Sequence, residues 1–264
     1  NSKSTVSKVR KDEQRPRRKG KLSEFFSYLP YYSGYVKPFG DLLGMEEVVM
    51  SPGGELVSDD SGTEILFLGR EGSQEYRKGD SEFSSLRKNE CFISYAGGGD
   101  VVVRNQGKHA VSRFLSLGFR PAGDAVDAGT GNTLSYNIKG NRTVLLTLAS
   151  GREEEGALRL NLDAVVSLAR IGREEKLIFE THPSRRILLA VLEGSLDAAK
   201  NRLNRDDSLL VVGEPLVSLY SHAQTRVLIV DLPVYLSPSE ERQAGDSEDR
   251  APETKVARLD REKS

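Results

Sequence analysis

Short apolar runs, separated by turn-forming residues, are the dominant pattern of the middle of the chain. The runs are rich in β-branched and aromatic residues, and Gly, Asn, Asp and Pro lie between them, which is typical of strands joined by turns. A first series lies at EILFLG (64–69), CFISYA (91–96), DVVVRN (100–105) and RFLSLGF (113–119). A second series lies at TVLLTLA (143–149), AVVSLARI (164–171), RILLAVLEG (186–194), SLLVV (208–212), LVSLY (216–220) and RVLIVDLP (226–233).

No sustained helical periodicity accompanies these runs, so the pattern predicts an all-β chain of antiparallel sandwiches or barrels. The stretch SLDAAKNRL (195–203) has a helical composition, but its place between two strands fits a hairpin equally well. The segment 123–142 is rich in Gly, Asp and Asn and predicts a linker between the two series. We therefore expect two β domains, at residues 22–122 and 143–236.

The two ends of the chain differ from the middle. Residues 1–21 contain nine Lys or Arg and two acidic residues, and residues 237–264 are rich in Glu, Asp, Arg, Ser and Pro. Neither segment has enough apolar surface to offset the entropy of ordering, so both are predicted to be disordered charged tails. The stretch RPRRKGK (15–21) fits a solvated basic tail, with a nuclear-localisation or polyanion-binding patch as the alternative.

Charge and cysteine content exclude several classes of protein. The net charge of −1 gives no overall field that would attract nucleic acid; the basic N-terminal tail would do so only weakly. Cys91 is the only cysteine, so a disulfide framework within one chain is excluded and a cytoplasmic compartment is expected, with the nucleus as the alternative. No apolar run is long enough to span a membrane.

Further sequence pieces follow one another in a defined order. They are FSYLPYY (26–32), FGDL (39–42), PGG (52–54), EILFL (64–68), AGGG (96–99), RLNLDAVVSLARI (159–171), RRILLAVLEG (185–194) and LIVDLP (228–233). In this order and spacing they resemble the pirin-like bicupins, a family that includes bacterial quercetin 2,3-dioxygenase-type proteins. The resemblance covers residues 22–233 and implies two jelly-roll barrels in one chain, of which the first would hold the family's metal site.

The resemblance also shows where the family's metal ligands should lie. The family binds one metal, usually iron, through an H-P-H stretch and an H-x-E stretch; the matching positions here are Ser58-Asp59-Asp60 and Val102-Val103-Arg104. Only Asp60 could bind a metal, because valine has no donor atom and arginine carries a permanent positive charge. No histidine precedes His109, so a shift of register does not restore the site, and we expect no metal cofactor.

Arg104, at the last position of the H-x-E stretch, has three possible roles. If it points into the first barrel, it pairs with Asp60 or Glu64 and takes the place of the metal, because a buried guanidinium is costly unless it is paired. Alternatively it captures an anionic ligand through its planar fork. In the third case Arg104 points outward and forms no such pair.

The remaining candidates favour structural roles. Gly97–Gly99 precede a strand rather than a helix, so they predict a turn with positive φ and not a phosphate loop. Cys91 lies in an apolar strand and is expected to be a buried structural cysteine. His109, His182 and His222 are expected in loops or at the surface. One of Arg185 and Arg186 is expected to pair with Asp231 or Glu193, and the sequon Asn141-Arg142-Thr143 to form a turn.

These observations favour a metal-free, non-catalytic pirin-like bicupin, a pseudoenzyme that binds a small anionic ligand or a protein and has a binding or regulatory role. One alternative is a quercetinase-like dioxygenase with an unconventional metal site that uses Asp60 and Glu64. Another is a structural subunit of a larger complex, whose charged tails order on contact with partners.

Overall fold

The structure is a computed structural model that describes residues 4–10, 17–18, 22–32, 35–58, 62–97, 99–122 and 130–234. These residues form strands and turns, and none of them is helical. The all-β prediction is therefore confirmed. Among the described residues no helix exists that could cross a lipid bilayer.

The strands of the first half of the chain are β1 Thr5–Val9, β2 Arg17–Arg18, β3 Ser23–Ser27, β4 Tyr31–Tyr32, β5 Tyr35–Val36, β6 Leu42–Met50, β7 Glu55–Ser58, β8 Glu64–Glu71, β9 Ser73–Lys78, β10 Ser84–Arg87, β11 Glu90–Ser94, β12 Val101–Arg104, β13 Ser112–Phe119 and β14 Thr130–Ser135. Strands such as β3 and β9 alternate between buried and more exposed positions, whereas β8, β11 and β12 are buried along most of their length.

The second half contains the remaining strands. They are β15 Val144–Ser150, β16 Leu158–Arg159, β17 Val165–Ile171, β18 Lys176–Glu180, β19 Arg185–Glu193, β20 Ser195–Ala198, β21 Asn201–Asn204, β22 Ser208–Val212, β23 Leu216–Ser221 and β24 Thr225–Pro233. Every one of the ten strand runs predicted from the sequence contains a strand.

Two sheets enclose the first core. A seven-stranded sheet has the order β14-β11-β8-β13-β6-β3-β2, and a four-stranded sheet has the order β10-β9-β12-β7. Their inner faces contribute one cluster of buried side chains, which we call the first core: Phe25, Val48, Met50, Leu56, Ile65, Phe67, Tyr76, Leu86, Phe92, Val101, Val103 and Phe114.

The second core has the same arrangement. A seven-stranded sheet of order β1-β22-β19-β24-β17-β15-β16 and a four-stranded sheet of order β18-β23-β20-β21 supply sixteen buried residues of a single apolar cluster. The chain divides into two compact units, one formed by residues 1–8, 140–146 and 167–264, the other by residues 9–139 and 147–166. Both cores have the paired-sheet architecture of a bicupin, which confirms the predicted fold class.

Two expectations about the segments between and around the domains need correction. Residues 1–21 are not wholly a disordered tail, because β1 joins the second seven-stranded sheet beside β22 and β2 pairs with β3. The predicted linker 123–142 includes β14, which pairs with β11. For the stretch 195–203 the hairpin alternative is confirmed, with β20 and β21 joined through Ala199 and Lys200 at φ 43° and 63°. The predicted tail at 237–264 lies outside the described residues.

Candidate functional site

The strand β12 carries the positions at which the family's H-x-E stretch was expected. Val101 and Val103 are 0% and 1% exposed and belong to the first core, together with their neighbours Leu56 and Tyr76. Because side chains alternate between the two faces of a strand, Val102 and Arg104 point to the opposite, outer face. The expectation that Arg104 points into the barrel is therefore wrong.

Arg104 is held on this outer face by two neighbours. Its Nη2 and Nε both donate to Glu75 Oε2, at 2.8 and 2.9 Å, because the two residues are cross-strand partners between β12 and β9. Its guanidinium carbon lies 3.4 Å from the ring centroid of Phe83, and the guanidinium of Arg77 lies 5.1 Å from the same ring. The predicted pair with Glu64 is not formed, and Asp60 lies outside the described residues.

Glu64 has a different partner. It is fully buried at the start of β8, where its Oε2 accepts a hydrogen bond from the backbone N–H of Asn161 at 3.0 Å and its Oε1 accepts another from the Asn161 side-chain amide. Burial raises the pKa of Glu64, and the two hydrogen bonds from Asn161 oppose this shift. Glu64 thus serves to fix the segment around Asn161 against β8 and makes no contact with Arg104.

A lysine that the sequence analysis missed faces the first core. Lys78 ends β9, two positions after Tyr76, and only 6% of its surface is exposed. It is the cross-strand partner of Val101, which on its other side pairs with Ser58. The Lys78 ammonium group donates a hydrogen bond to the carbonyl oxygen of Tyr95, just beyond the end of β11. The available signal was the alternation Gln74, Tyr76, Lys78, which predicts one shared face.

The residues present do not fit the family's metal. At the core-facing positions of β7 and β12 stand Ser58, Val101 and Val103, and the two valines have no donor atom. Lys78 is the cross-strand partner of Val101, and a cation of this kind repels a metal ion. The described residues contain no group of three or more His, Cys, Asp or Glu side chains arranged to hold a metal.

Stacked aromatic rings occupy the interior of the first core. Tyr76 and Phe92 are parallel with their centroids 3.6 Å apart, and Phe92 stacks on Phe67 at 4.7 Å. The hydroxyl of Tyr76 is satisfied by Thr133 Oγ1 at 2.8 Å. These rings, together with the surrounding aliphatic side chains, form a packed interior of the first core.

An open groove of about 350 Å³ lies on the outside of the same half, lined by Pro52–Glu55 and Arg104–Lys108. Its floor is fixed by buried Asn105, whose side-chain amide donates to the carbonyls of Met50 and Ala110 at 3.0 and 2.9 Å. The backbone N–H of Gly107 donates to Asn105 Oδ1 at 2.9 Å. Lys108 is exposed at the rim, and no ion pair involves it among the residues that the structure describes.

Several structural expectations are confirmed. Gly97 and Gly99 have φ values of 80° and 98°, as expected for a turn, while Gly98 lies outside the described residues. Cys91 is fully buried, and burial followed by repulsion from Glu90 raises the pKa of its thiol to about 12. Arg185 Nε donates to Asp231 Oδ1 at 2.6 Å, which is the predicted pair.

The histidines lie outside both cores, as expected. His109 and His182 are exposed, and His182 bonds to Ser184 through Nδ1. His222 follows β23 and is half-buried, with its Nε2 2.6 Å from Asp197 Oδ2. A surface position was expected for His222, but its carboxylate partner was not.

Comparisons with known proteins agree with this architecture. Residues 147–232 match the family model of the quercetinase C-terminal cupin domain. No curated protein sequence matches the chain. The matched segment covers most strands of the second core, so the resemblance to the pirin-like proteins is confirmed in the half of the chain that was not expected to bind metal.

Solved structures extend the similarity to the first half. Bacterial pirin YhhW from Escherichia coli, solved in complex with nickel(II), has a TM-score of 0.77 at 17% identity, over 88% of this chain and 100% of that one. YhaK from Escherichia coli gives 0.67 at 21% identity, over 80% and 94%. Quercetin 2,3-dioxygenase from Acinetobacter baumannii gives 0.64 at 14% identity, over 89% and 93%. At these identities the similarity shows the shared bicupin fold.

Proposed function

We propose that this chain is a bicupin that acts as a binding or regulatory protein and has no metal-dependent dioxygenase activity. The observation that carries the proposal is the inner face of the four-stranded sheet. There Val101 and Val103 stand on β12, which should supply metal ligands, and Lys78 stands on the neighbouring β9. A shift of register by one residue does not restore a histidine in the H-x-E stretch, because Val101, Val102 and Val103 all lack a donor atom.

The groove on the outer surface is the binding site that the geometry favours, and we propose a carboxylate-bearing ligand for it. Lys108 offers a charge without an ion pair among the described residues, whereas the Arg104 charge is offset by Glu75. Gly53 lines the groove with nothing within 4 Å of the position of an added Cβ, so a ligand can approach the backbone closely there. The ligand could be a small dicarboxylate or an acidic side chain of a partner protein, since both present the same group.

The absence of a metal centre is tested on the full chain, purified without chelators and incubated with Fe²⁺ or Ni²⁺ before gel filtration. We expect far less than one metal ion per chain by elemental analysis, and no oxygen consumption with quercetin. One tightly bound ion per chain together with quercetin turnover would establish the dioxygenase alternative and overturn the proposal.

The groove is tested by two-dimensional amide NMR of the full chain titrated with succinate as the carboxylate probe. Shifts are expected at residues 52–55 and 104–108, and Lys108→Glu should weaken binding about tenfold or more, since it replaces attraction by repulsion. Lys88→Glu is the matched control, because Lys88 is equally exposed but lies outside the groove. Equal weakening by both variants, or shifts confined to other surfaces, would exclude the groove as the site.

A further inference from the structure

We propose that the Lys78 ammonium group occupies the place of the metal ion in the first core, as an internal cation supplied by the chain itself. This inference rests on the proposed function and deepens it. It replaces the hypothesis about Arg104, whose guanidinium lies on the outer face with Glu75.

The position of Lys78 in the sheet is the first argument. Ser58, Val101 and Lys78 form one cross-strand row on the inner face of the four-stranded sheet. In the register of the family motif, Ser58 is the first position of the H-P-H stretch, whereas Val102 and Arg104, at the H-x-E positions, lie on the outer face. The Lys78 side chain thus starts from a row that contains one expected ligand position, Ser58, and the core-facing Val101.

The direction of the Lys78 side chain is the second argument. Its backbone belongs to β9 of the four-stranded sheet, and its Nζ donates to the carbonyl of Tyr95, which follows β11 of the seven-stranded sheet. The side chain therefore crosses from one sheet to the other at the end of the core. A metal ion held by side chains of the inner row would lie above the same face of the four-stranded sheet, where the Lys78 charge would repel it.

The backbone around Lys78 is fixed, which keeps the ammonium group in place. The Lys78 N–H donates to Ser81 Oγ at 3.1 Å, and the Lys78 carbonyl accepts from the Ser81 N–H at 3.1 Å. The next residue, Gly79, donates to the Asp100 carbonyl at 2.9 Å, directly before β12. A buried lysine is rare and costly unless it is hydrogen-bonded, so its place in the row of Val101 points to a role for the charge itself.

The experiment asks whether the charge of Lys78 opposes a metal at this place. Ser58 and Val101 are direct cross-strand partners on the inner face, so Ser58→His with Val101→His supplies two imidazoles for Ni²⁺. The Ni²⁺ dissociation constant is measured by titration with Lys78 retained and with Lys78→Met, which keeps the length of the side chain and removes its charge. We expect binding about tenfold tighter or more in the Lys78→Met background.

Val57 and Val102 provide the matched control. They are cross-strand partners on the outer face of the same two strands, so Val57→His with Val102→His builds an equivalent pair on the side away from Lys78. Its Ni²⁺ affinity should change less than about twofold on Lys78→Met, because the sheet separates the two charges. Circular dichroism verifies that each variant is folded.

Equal Ni²⁺ affinity of the inner pair in the Lys78 background and in the Lys78→Met background would overturn the inference, and so would a folded triple variant that binds no Ni²⁺. Failure of the proposed function gives a different result, because it would be seen as stoichiometric metal in the unaltered chain, which contains neither added histidine. The two outcomes are measured on different proteins and are therefore distinguishable.

Discussion

The buried ion pair between Arg185 and Asp231 offers the sharpest test of the second core. Their side chains are 4% and 1% exposed, and Arg185 Nε lies 2.6 Å from Asp231 Oδ1. Arg185 Nη2 also donates to the Asp231 carbonyl at 3.2 Å, and Thr181 Oγ1 donates to Asp231 Oδ2 at 3.4 Å. The substitution Asp231→Asn keeps the size of the side chain but leaves the guanidinium buried without its negative partner.

Breaking a buried pair in this way costs about 3–5 kcal/mol, because one uncompensated charge remains in the core. For a chain of this size each 1 kcal/mol lowers the melting temperature by roughly 2–4 °C, so Asp231→Asn should lower it by roughly 6–20 °C. The double variant Arg185→Met with Asp231→Leu removes both charges and should cost at most about 1 kcal/mol, since apolar side chains can replace such a pair. Thermal and urea unfolding followed by circular dichroism measure both effects.

The difference in stability between the two variants tests whether buried Arg185 needs the charge of Asp231. Our reasoning requires the double variant to be more stable than Asp231→Asn by about 2 kcal/mol or more. If Asp231→Asn costs less than the double variant, the carboxylate charge is not what the buried guanidinium needs, and the account of this pair is wrong.

Three further predictions concern the first half. Cys91, with a thiol pKa of about 12 in a buried site, should resist a thiol reagent at pH 8 in the folded chain and react fully in urea; rapid reaction in the folded chain would contradict the burial. The raised pKa of Glu64 stabilises the folded chain at pH values below the carboxyl pKa of the unfolded chain, and this stabilisation is lost as the pH rises through the pKa of the folded chain. In urea unfolding, the stability of the native chain should therefore fall relative to that of Glu64→Gln from about pH 4.5 upward. Parallel stability curves of the two proteins would disprove this prediction. Gly69→Ala places a Cβ 2.1 Å from the Arg87 carbonyl oxygen and should destabilise the folded chain by more than about 2 kcal/mol. In the control Gly44→Ala the Cβ meets nothing within 4 Å, so the change in stability should be close to zero. Similar urea midpoints for the two variants would refute the predicted clash.

The hydrophobic pattern predicted the central strands because each has enough apolar or β-branched residues to form a buried face by itself. It did not predict β1 and β14, whose strand conformation depends on a partner distant in sequence. β1, TVSKV, pairs beside β22, and Lys8 forms an ion pair with Asp207 at 3.0 Å. β14, TGNTLS, is a polar edge strand next to β11. Local composition correctly described both segments as polar, but pairing with an existing sheet edge outweighed it.

The charged pairs of the second half also differ in how far they can be predicted from the sequence. Arg185 and Asp231 lie at the start and near the end of long apolar strands, so their burial and mutual pairing could be expected from the pattern. His222 and Asp197 belong to a loop and a short hairpin strand, and their 2.6 Å contact depends on how β20 lies against β23. Nothing in the sequence fixes that register, because β21 and β22 separate β20 from β23 along the chain and no hairpin turn joins the two strands.

The orientation of Arg104 was predicted wrongly for a reason that lies in the three valines themselves. The face of a strand to which a residue points is normally read from the alternation of apolar and polar side chains, and a shift of one residue exchanges the two faces. Val101, Val102 and Val103 show no such alternation, so only the residues of the neighbouring strands show which of the three face the core. Leu56 and Tyr76, opposite Val103, are buried, whereas Val57 and Arg77, opposite Val102, are more exposed. Arg104 therefore joins the outer row, and the inner cation of this core is Lys78.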